Sequence, residues 1–274
     1  MADPILKWAG GKRHLIQFIL DKFPKNYKER RYHEPFLGAG AIFFKIEPKS
    51  GTINDINPRL INFFKVVKDN PKKLIEQAST YVYDEENYKK NRDRFNEPNL
   101  PKVEDAALLL YLNKTAFNGL YRVNSTGKFN VPIGKYKNPT IVPKDRIIKA
   151  SSILKNIKIS NKDFTYILDH AEKGDICYLD PPFSPVSKTS YFTSYSSDGF
   201  NWEDQKRLLK VCIQLNKNGV LFILSNSNKE KIEEMYKKAS FTTQTITAKR
   251  AISSKSSTRG PIEELIVTNI TKEI

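Results

Sequence analysis

Sulfur and imidazole are scarce in this chain: its 274 residues include two cysteines, two methionines and three histidines. Cys177 and Cys212 stand singly in apolar strand and helix patterns, so they offer neither a disulfide framework nor a Cys-x-x-Cys metal or redox site. His14, His33 and His170 lack metal-ligand spacing, and no metal is expected. No Ser-His or Cys-His signature is present to activate a protein nucleophile. No apolar run approaches about 18 residues, and no charged-then-apolar N-terminal segment precedes a small-residue cleavage site. Neither a membrane span nor a signal peptide is therefore expected, and the expected place of action is cytoplasmic. Acid is the other deficit: 30 Asp and Glu stand against 46 Lys and Arg, leaving +16. Such a balance favours a polyanionic partner, either nucleic acid or an anionic membrane surface. Hydrophobic residues make up 39% of the chain, enough to build a real core for a soluble protein with one large domain or a core domain with an insertion.

What is present centres on Asp175-Ile-Cys-Tyr-Leu-Asp180-Pro-Pro-Phe183. Ile176 to Leu179 form a compact run of strand character, and Pro181 cannot donate to a sheet ladder, so the strand stops at Asp180. In an open α/β sheet, ligands bind in the crevice outside that carboxyl edge. Pro181 and Pro182 remove two N–H groups, so acceptors dominate the corner. Asp180 and the Pro181 carbonyl can each accept a hydrogen from the exocyclic amine of a nucleobase. That localises the amine lone pair toward an electrophile, while Phe183 stacks on the base. A plain strand-ending turn is the alternative reading of so short a motif.

Two further strand ends supply a ligand crevice. Leu6-Lys-Trp-Ala-Gly-Gly-Lys12 leads into an expected helix with apolar positions Leu15, Ile16, Ile19, Leu20 and Phe23, closed by Pro24. Ala9 and Gly10 lie in the glycine turn of that segment, Lys12 can reach a carboxylate, and Trp8 can cover an aromatic face. Tyr32-His-Glu-Pro-Phe36-Leu-Gly38-Ala-Gly40 reads as strand, glycine turn and helix, a nucleotide-type loop. A second strand, Thr52-Ile-Asn-Asp55, ends in an acid placed to bind the two ribose hydroxyls of a nucleoside. No G-x-x-x-x-G-K pattern is present, so a nucleoside cofactor without a pyrophosphate fits better than a triphosphate. Asp163 and Phe164, after a strand over residues 157–160, can flank a purine.

From Pro58 to about Ala150 helical signals take over, at Leu60 to Val67, Lys72 to Val82, Glu85 to Phe95 and Glu104 to Phe117, and mark an insertion. Its second half, from Phe117 to Tyr136, is a hairpin or loop rich in Gly, Asn and Pro. Residues 112–150 carry eight Lys or Arg against one acid, interleaved with aromatics and Asn, a pattern that favours nucleic-acid contact over a merely solvated face. After the Asp180 corner come a polar and aromatic loop over 184–201, expected to fold over a ligand, and helices at Trp202 to Leu215 and Glu230 to Lys238. Strands are expected at Val220 to Asn226, Phe241 to Thr247 and Glu264 to Asn269, the last two joined by a basic, serine-rich connector over 249–260.

Taken in order, Leu6-Lys-Trp-Ala-Gly-Gly-Lys12, Glu34-Pro-Phe-Leu-Gly-Ala-Gly40, Asn54-Asp-Ile-Asn57, Phe117-Asn-Gly-Leu-Tyr-Arg122, Phe129-Asn-Val-Pro-Ile-Gly-Lys-Tyr-Lys137 and Asp180-Pro-Pro-Phe183 cover almost the whole chain. In this the sequence resembles the Dam and DpnM type of DNA adenine-N6 methyltransferase. The resemblance implies an α/β fold: a Rossmann-like methyltransferase sheet, formed by 1–57 and 151–274, with an inserted, mainly helical target-recognition domain over 58–150. It also implies S-adenosylmethionine as methyl donor and the palindrome GATC in double-stranded DNA as target. By the same resemblance Trp8, Ala9, Gly10, Lys12, Phe36, Gly38, Gly40, Asp55, Phe164 and Asp180 bind the cofactor, and Asp180, Pro181, Pro182 and Phe183 form the catalytic corner. Phe117 enters the gap left by a flipped adenine, and Lys7, Asn118, Leu120, Arg122, Asn124, Pro132 and Tyr136 line the DNA-contacting segments. Phe183 and Phe117 stand where tyrosine is usual or frequent; both keep the ring and lose the hydroxyl. Two rivals stand beside this reading. An N4-cytosine methyltransferase could use the same corner, and a basic DNA-binding protein with a vestigial corner would transfer no methyl group. The biological setting stays open among restriction–modification with a cognate endonuclease, a phage, and replication or repair.

Overall fold

The computed structural model describes residues 2–12, 15–182, 200–248 and 262–270. Seven strands form one sheet: β1 (Tyr32–Glu34), β2 (Gly51–Asn54), β3 (Ile157–Ser160), β4 (Ile176–Leu179), β5 (Leu221–Ser227), β6 (Thr242–Ala248) and β7 (Ile262–Thr268). Their order is β3-β2-β1-β4-β5-β7-β6. The first five are parallel, and β7 lies antiparallel between β5 and β6. All four residues of β4 are buried, the continuous apolar run expected of a parallel strand covered on both faces. Gly51 opens β2 at φ 136, where a Cβ would lie 1.8 Å from the Tyr32 carbonyl oxygen, so no side chain is compatible with that crossing. Chain order reverses between β1 and β4, and that switch point creates the crevice at their carboxyl ends.

Nine helices accompany the sheet among the described residues: α1 (Ile16–Leu20), α2 (Phe43–Ile46), α3 (Pro58–Asp69), α4 (Pro71–Ser79), α5 (Glu85–Phe95), α6 (Lys102–Thr115), α7 (Lys144–Leu154), α8 (Trp202–Lys217) and α9 (Glu230–Lys238). α8 starts from a reciprocal capping box between Asn201 and Asp204. Asn57 caps α3 by accepting from the Arg59 and Leu60 amides, with Pro58 at the first helical position. α1 is shorter than the expected helix to Phe23: Lys22 and Phe23 bond back three residues to Ile19 and Leu20, a tight turn that Pro24 follows. α7 is an addition to the four helices expected in the insertion; Ile147, Ala150 and Leu154 give it a buried stripe under a charged outer face.

α6 is buried along nearly its whole length and packs against α3, α4 and α5. Its buried side chains share one continuous apolar cluster with Tyr32, Ile53 and Phe43 beneath the sheet. A second cluster covers the other face, where Leu208, Val211 and Leu215 of α8 meet Phe222, Leu224 and Val267. After α6 the chain turns through Phe117–Gly119 into two crossing segments, held by antiparallel bridges Ala116 to Ile133 and Val123 to Phe129.

Candidate active site

The corner after β4 is built around Lys12. Lys12 is buried, and its Nζ lies 3.1 Å from Asp180 Oδ1 and 3.1 Å from Glu264 Oε2. Burial alone would lower the Lys12 pKa, but the two carboxylates carry it above its ordinary value. Burial pushes the Asp180 carboxyl up to about 6; Lys12 pulls it down and Glu264 pushes it further up. Glu34, at the end of β1, is buried deeper, accepts a 2.6 Å hydrogen bond from the Tyr32 hydroxyl and is held well above the usual carboxylate range by desolvation. Pro181 is buried and Pro182 exposed, while Phe183 lies outside the described residues, as do the 184–199 loop and the 249–261 connector.

On the other side of the switch point, the turn after β1 and the end of β2 share a carboxylate. Asp55 Oδ2 accepts from the Gly38 amide and Oδ1 from the Asn57 amide, both at 2.9 Å. Desolvation raises the Asp55 pKa against the pull of these bonds. Gly38 and Gly40 have φ of 51 and 71. Phe36 stacks on Phe164 with ring centroids 5.3 Å apart, and Phe200 meets both rings. Arg207 lies over the Phe164 ring at 4.8 Å and pairs with Asp163 at 2.7 Å. A carboxylate at one strand end, an aromatic face at the next and a glycine turn between them fit a nucleoside: each carboxylate oxygen has a second lone pair for a ribose hydroxyl, and the rings offer a face to a purine.

Residues 5–12 form the seam between this crevice and the inserted segment. The Lys7 amide donates to Asn113 Oδ1 at 2.8 Å, and Asn113 Nδ2 donates to the Lys7 and Gly119 carbonyls at 2.7 and 3.1 Å. Trp8 stacks on Tyr121 at 5.1 Å, and its indole would lie 3.2 Å from a Cβ on Gly38. Ala9 and Gly10 are exposed, Gly10 at φ 79. Gly119 is fixed by sterics as well as by its φ of 65: a Cβ would lie 2.5 Å from Lys7 Cδ and 2.9 Å from the Asn113 carbonyl oxygen.

Beyond that seam a row of side chains is presented outward. Phe117 and Leu120 are exposed, unusual for large apolar groups, and Asn118 adopts a left-handed φ of 54 between them. The Phe117 amide donates to the Pro132 carbonyl at 2.9 Å, and the Tyr136 hydroxyl donates to the Ala116 carbonyl at 3.1 Å. Lys7 Nζ sits 5.4 Å from the Tyr136 ring centre. Arg122 donates through Nε to Asn130 Oδ1 at 2.8 Å and through Nη2 to the Asn130 carbonyl at 3.2 Å, which braces one edge of the guanidinium. Asn124 differs in kind: its Oδ1 accepts from the Thr126 and Lys128 amides, so its carbonyl organises the turn at 125–127.

The structure therefore brings Lys12 to Asp180, Asp55 to Gly38, Phe36 to Phe164 and Lys7 to Tyr136. Glu264, Tyr121, Phe200 and Arg207 join them without having been singled out from sequence. A parallel sheet with an antiparallel strand near one edge, a crevice at its switch point and a carboxylate corner beside it are the arrangement expected of a methyltransferase. The chain matches the family model of D12 class N6 adenine-specific DNA methyltransferases over residues 8–252 and belongs to that family. It is 45% identical over 273 residues to a type II methyltransferase, M1.LlaDCHI, of Lactococcus lactis subsp. cremoris, covering 97% of this chain and 95% of that one. It is 41% identical to the type II methyltransferase M.MjaIII of Methanocaldococcus jannaschii, covering 97% of this chain and 98% of that one. It is 32% identical to the DNA adenine methylase of Escherichia coli K12, covering 95% and 93% respectively. The protein is thus an enzyme that transfers a methyl group to adenine N6 in DNA, and S-adenosylmethionine is its methyl donor. Among the described residues no helix is long and apolar enough to cross a membrane, and no group of side chains is arranged to hold a metal ion.

Proposed function

We propose that this enzyme methylates the adenine of GATC in double-stranded DNA, and that it flips the base out of the duplex into the corner at Asp180. The observation that carries the reading is the partly exposed Asp180 carboxylate, set at a strand end beside the Asp55 crevice and anchored to Lys12. An adenine amine inside a duplex is paired and edge-on, and extruding it costs a few kcal/mol that contacts at the corner must offset. Asp180 and the Pro181 carbonyl accept the two amine hydrogens, which turns the lone pair out of conjugation. S-adenosylmethionine, when bound, supplies an electrophilic methyl on a sulfonium. The adjacent strand ends that carry Asp180 and Asp55 would bring amine and methyl donor together, a proximity effect rather than a chemical activation. Transfer would break the sulfonium's S–methyl bond as the N–methyl bond forms and leave a neutral thioether; the nitrogen then becomes acidic, and Asp180 would take its surplus proton and pass it to solvent.

Asp55 holds the ribose, the stacked pair of Phe36 and Phe164 offers a face to the cofactor's adenine ring, and Trp8, Ala9, Gly10, Lys12, Gly38 and Gly40 complete that site. Residues 58–150 serve as the recognition domain and 1–57 with 151–274 as the catalytic one. Phe117 fills the gap in the stack, while Lys7, Asn118, Leu120, Arg122, Pro132 and Tyr136 meet the target; Asn124 contributes by shaping the turn. The exposure of Phe117 and Leu120 on a basic segment supports this division. The names of the type II relatives support a place in restriction–modification, with a cognate endonuclease cutting the same sequence in the cytoplasm. Methylation mapping of a plasmid carried with this gene in a host without adenine methylation tests the reading. N6-methyladenine confined to GATC is expected; another site, or N4-methylcytosine, would overturn it.

A further inference from the structure

The Lys12 ammonium has one more carboxylate than it needs. Asp180 alone would balance its charge, yet Glu264 of β7 reaches the same nitrogen at the same 3.1 Å, and Glu264 is 2% exposed. Within β7 the two acids part company: Glu263 is exposed, while Glu264 is buried opposite Ser227 on one side and Ile246 on the other. Burying a second carboxylate is costly, and a simple latch between the N-terminal segment and β7 would be cheaper to build from apolar groups. When all three groups are ionised the cluster keeps one negative charge, next to the acceptor the reaction uses.

We propose that Glu264 is a positioning residue for methyl transfer: it shares the Lys12 ammonium with Asp180, fixes where that ammonium lies, and keeps it from fully neutralising Asp180. Asp180 then retains its strength as an acceptor for the target amine. The proposal rests on the reading of Asp180 given above. Among the described residues the other ionisable groups facing Asp180 are Glu34 from β1 and Tyr178 from β4, and desolvation holds each well above its ordinary pKa. Among the described residues, Lys12 and Glu264 are the groups that act on Asp180 by charge.

The test is Glu264→Gln, which keeps the shape and removes the charge, assayed by single-turnover methylation of a GATC duplex across pH at saturating cofactor. The expected result is a roughly tenfold slower plateau, an acid limb moved to lower pH, and a cofactor affinity and melting temperature near wild type. Wild-type rate and acid limb in a folded Glu264→Gln protein would overturn the proposal. So would a fall in melting temperature with the rate per folded enzyme unchanged. Should Gln impair folding, Glu264→Asp keeps the charge on a shorter arm: the rate is expected to fall while the acid limb stays near wild type, and an unchanged rate contradicts a positional role. Asp180→Asn run alongside separates the two failures, since full activity there removes the acceptor reading itself.

Discussion

Gly119→Ala probes the seam between the Asp55 crevice and the Phe117–Tyr136 segment without adding or removing a charge. Its backbone sits at φ 65, and a left-handed alanine costs about 1–2 kcal/mol. The added methyl would lie 2.9 Å from the Asn113 carbonyl oxygen and 2.5 Å from Lys7 Cδ. Lys7 can swing its side chain away, but the Asn113 backbone belongs to buried α6 and cannot, so overpacking adds about 1–3 kcal/mol. Some of this strain is relieved by moving the turn, which breaks the Asn113 bond to the Gly119 carbonyl and shifts Phe117, Leu120 and Arg122 together. The expected outcome is a protein about 2–4 kcal/mol less stable, with a kcat/KM for GATC duplex reduced far more than its affinity for cofactor. Urea melts give the first quantity, and kcat/KM set against calorimetric titration of S-adenosylhomocysteine gives the second. Wild-type stability and kcat/KM would refute the steric argument, and equal losses for cofactor and DNA would refute the placing of the seam.

Other expectations follow from individual contacts. Asp55→Ala should weaken cofactor binding by about 1–3 kcal/mol and DNA binding much less, since it also frees the Gly38 amide; paired titrations with the reverse pattern would count against the assigned crevice. Arg122→Ala should relax selection at the outer C·G pair by about 1–3 kcal/mol of discrimination. Uniform loss over GATC and its single-base variants, with a salt slope lower by about one unit, would make Arg122 a phosphate contact. Because the folded pKa of Asp180 is raised from 3.8 to about 6, the folded state holds that proton more tightly than the unfolded one. This group's contribution to stability therefore falls as pH rises from about 4 to about 6, while activity, which needs the ionised form, rises through about 6. A pH–kcat/KM profile with no acid limb in that region would contradict the assignment.

Much of the site was legible because its parts lie at strand ends, where sequence marks the end itself. Pro181 stops β4, Asp55 follows the short strand run Thr52-Ile53-Asn54, and Gly38 and Gly40 interrupt the apolar stretch after β1. The helix Glu85–Phe95 was readable to the residue because Asp84 caps it by accepting from the Asn87 amide. α7 was missed because Lys144, Arg146 and Lys149 counted toward the basic segment and concealed the spacing of Ile147, Ala150 and Leu154. Glu264 was missed because Glu263 stands beside it, and the pair reads as a polar strand end. The available signal was the pleat: one of two adjacent acids in a covered strand must point inward. Tyr121 gave none, since its meaning depends on Trp8 being more than a hundred residues away in sequence and 5.1 Å away in space.

In this account Asp180, together with the Pro181 carbonyl, accepts the target amine, and Lys12 holds Asp180 in place. Asp180→Asn tests it most directly, because the change keeps shape and volume and removes the anionic acceptor beside Lys12. The measurement is the single-turnover rate of N6-methyladenine formation in a GATC duplex with cofactor and enzyme in excess. A loss of roughly 10²–10³-fold is expected, with cofactor binding retained and the fold intact by circular dichroism. A folded Asp180→Asn protein that methylates adenine at close to the wild-type rate would contradict the account.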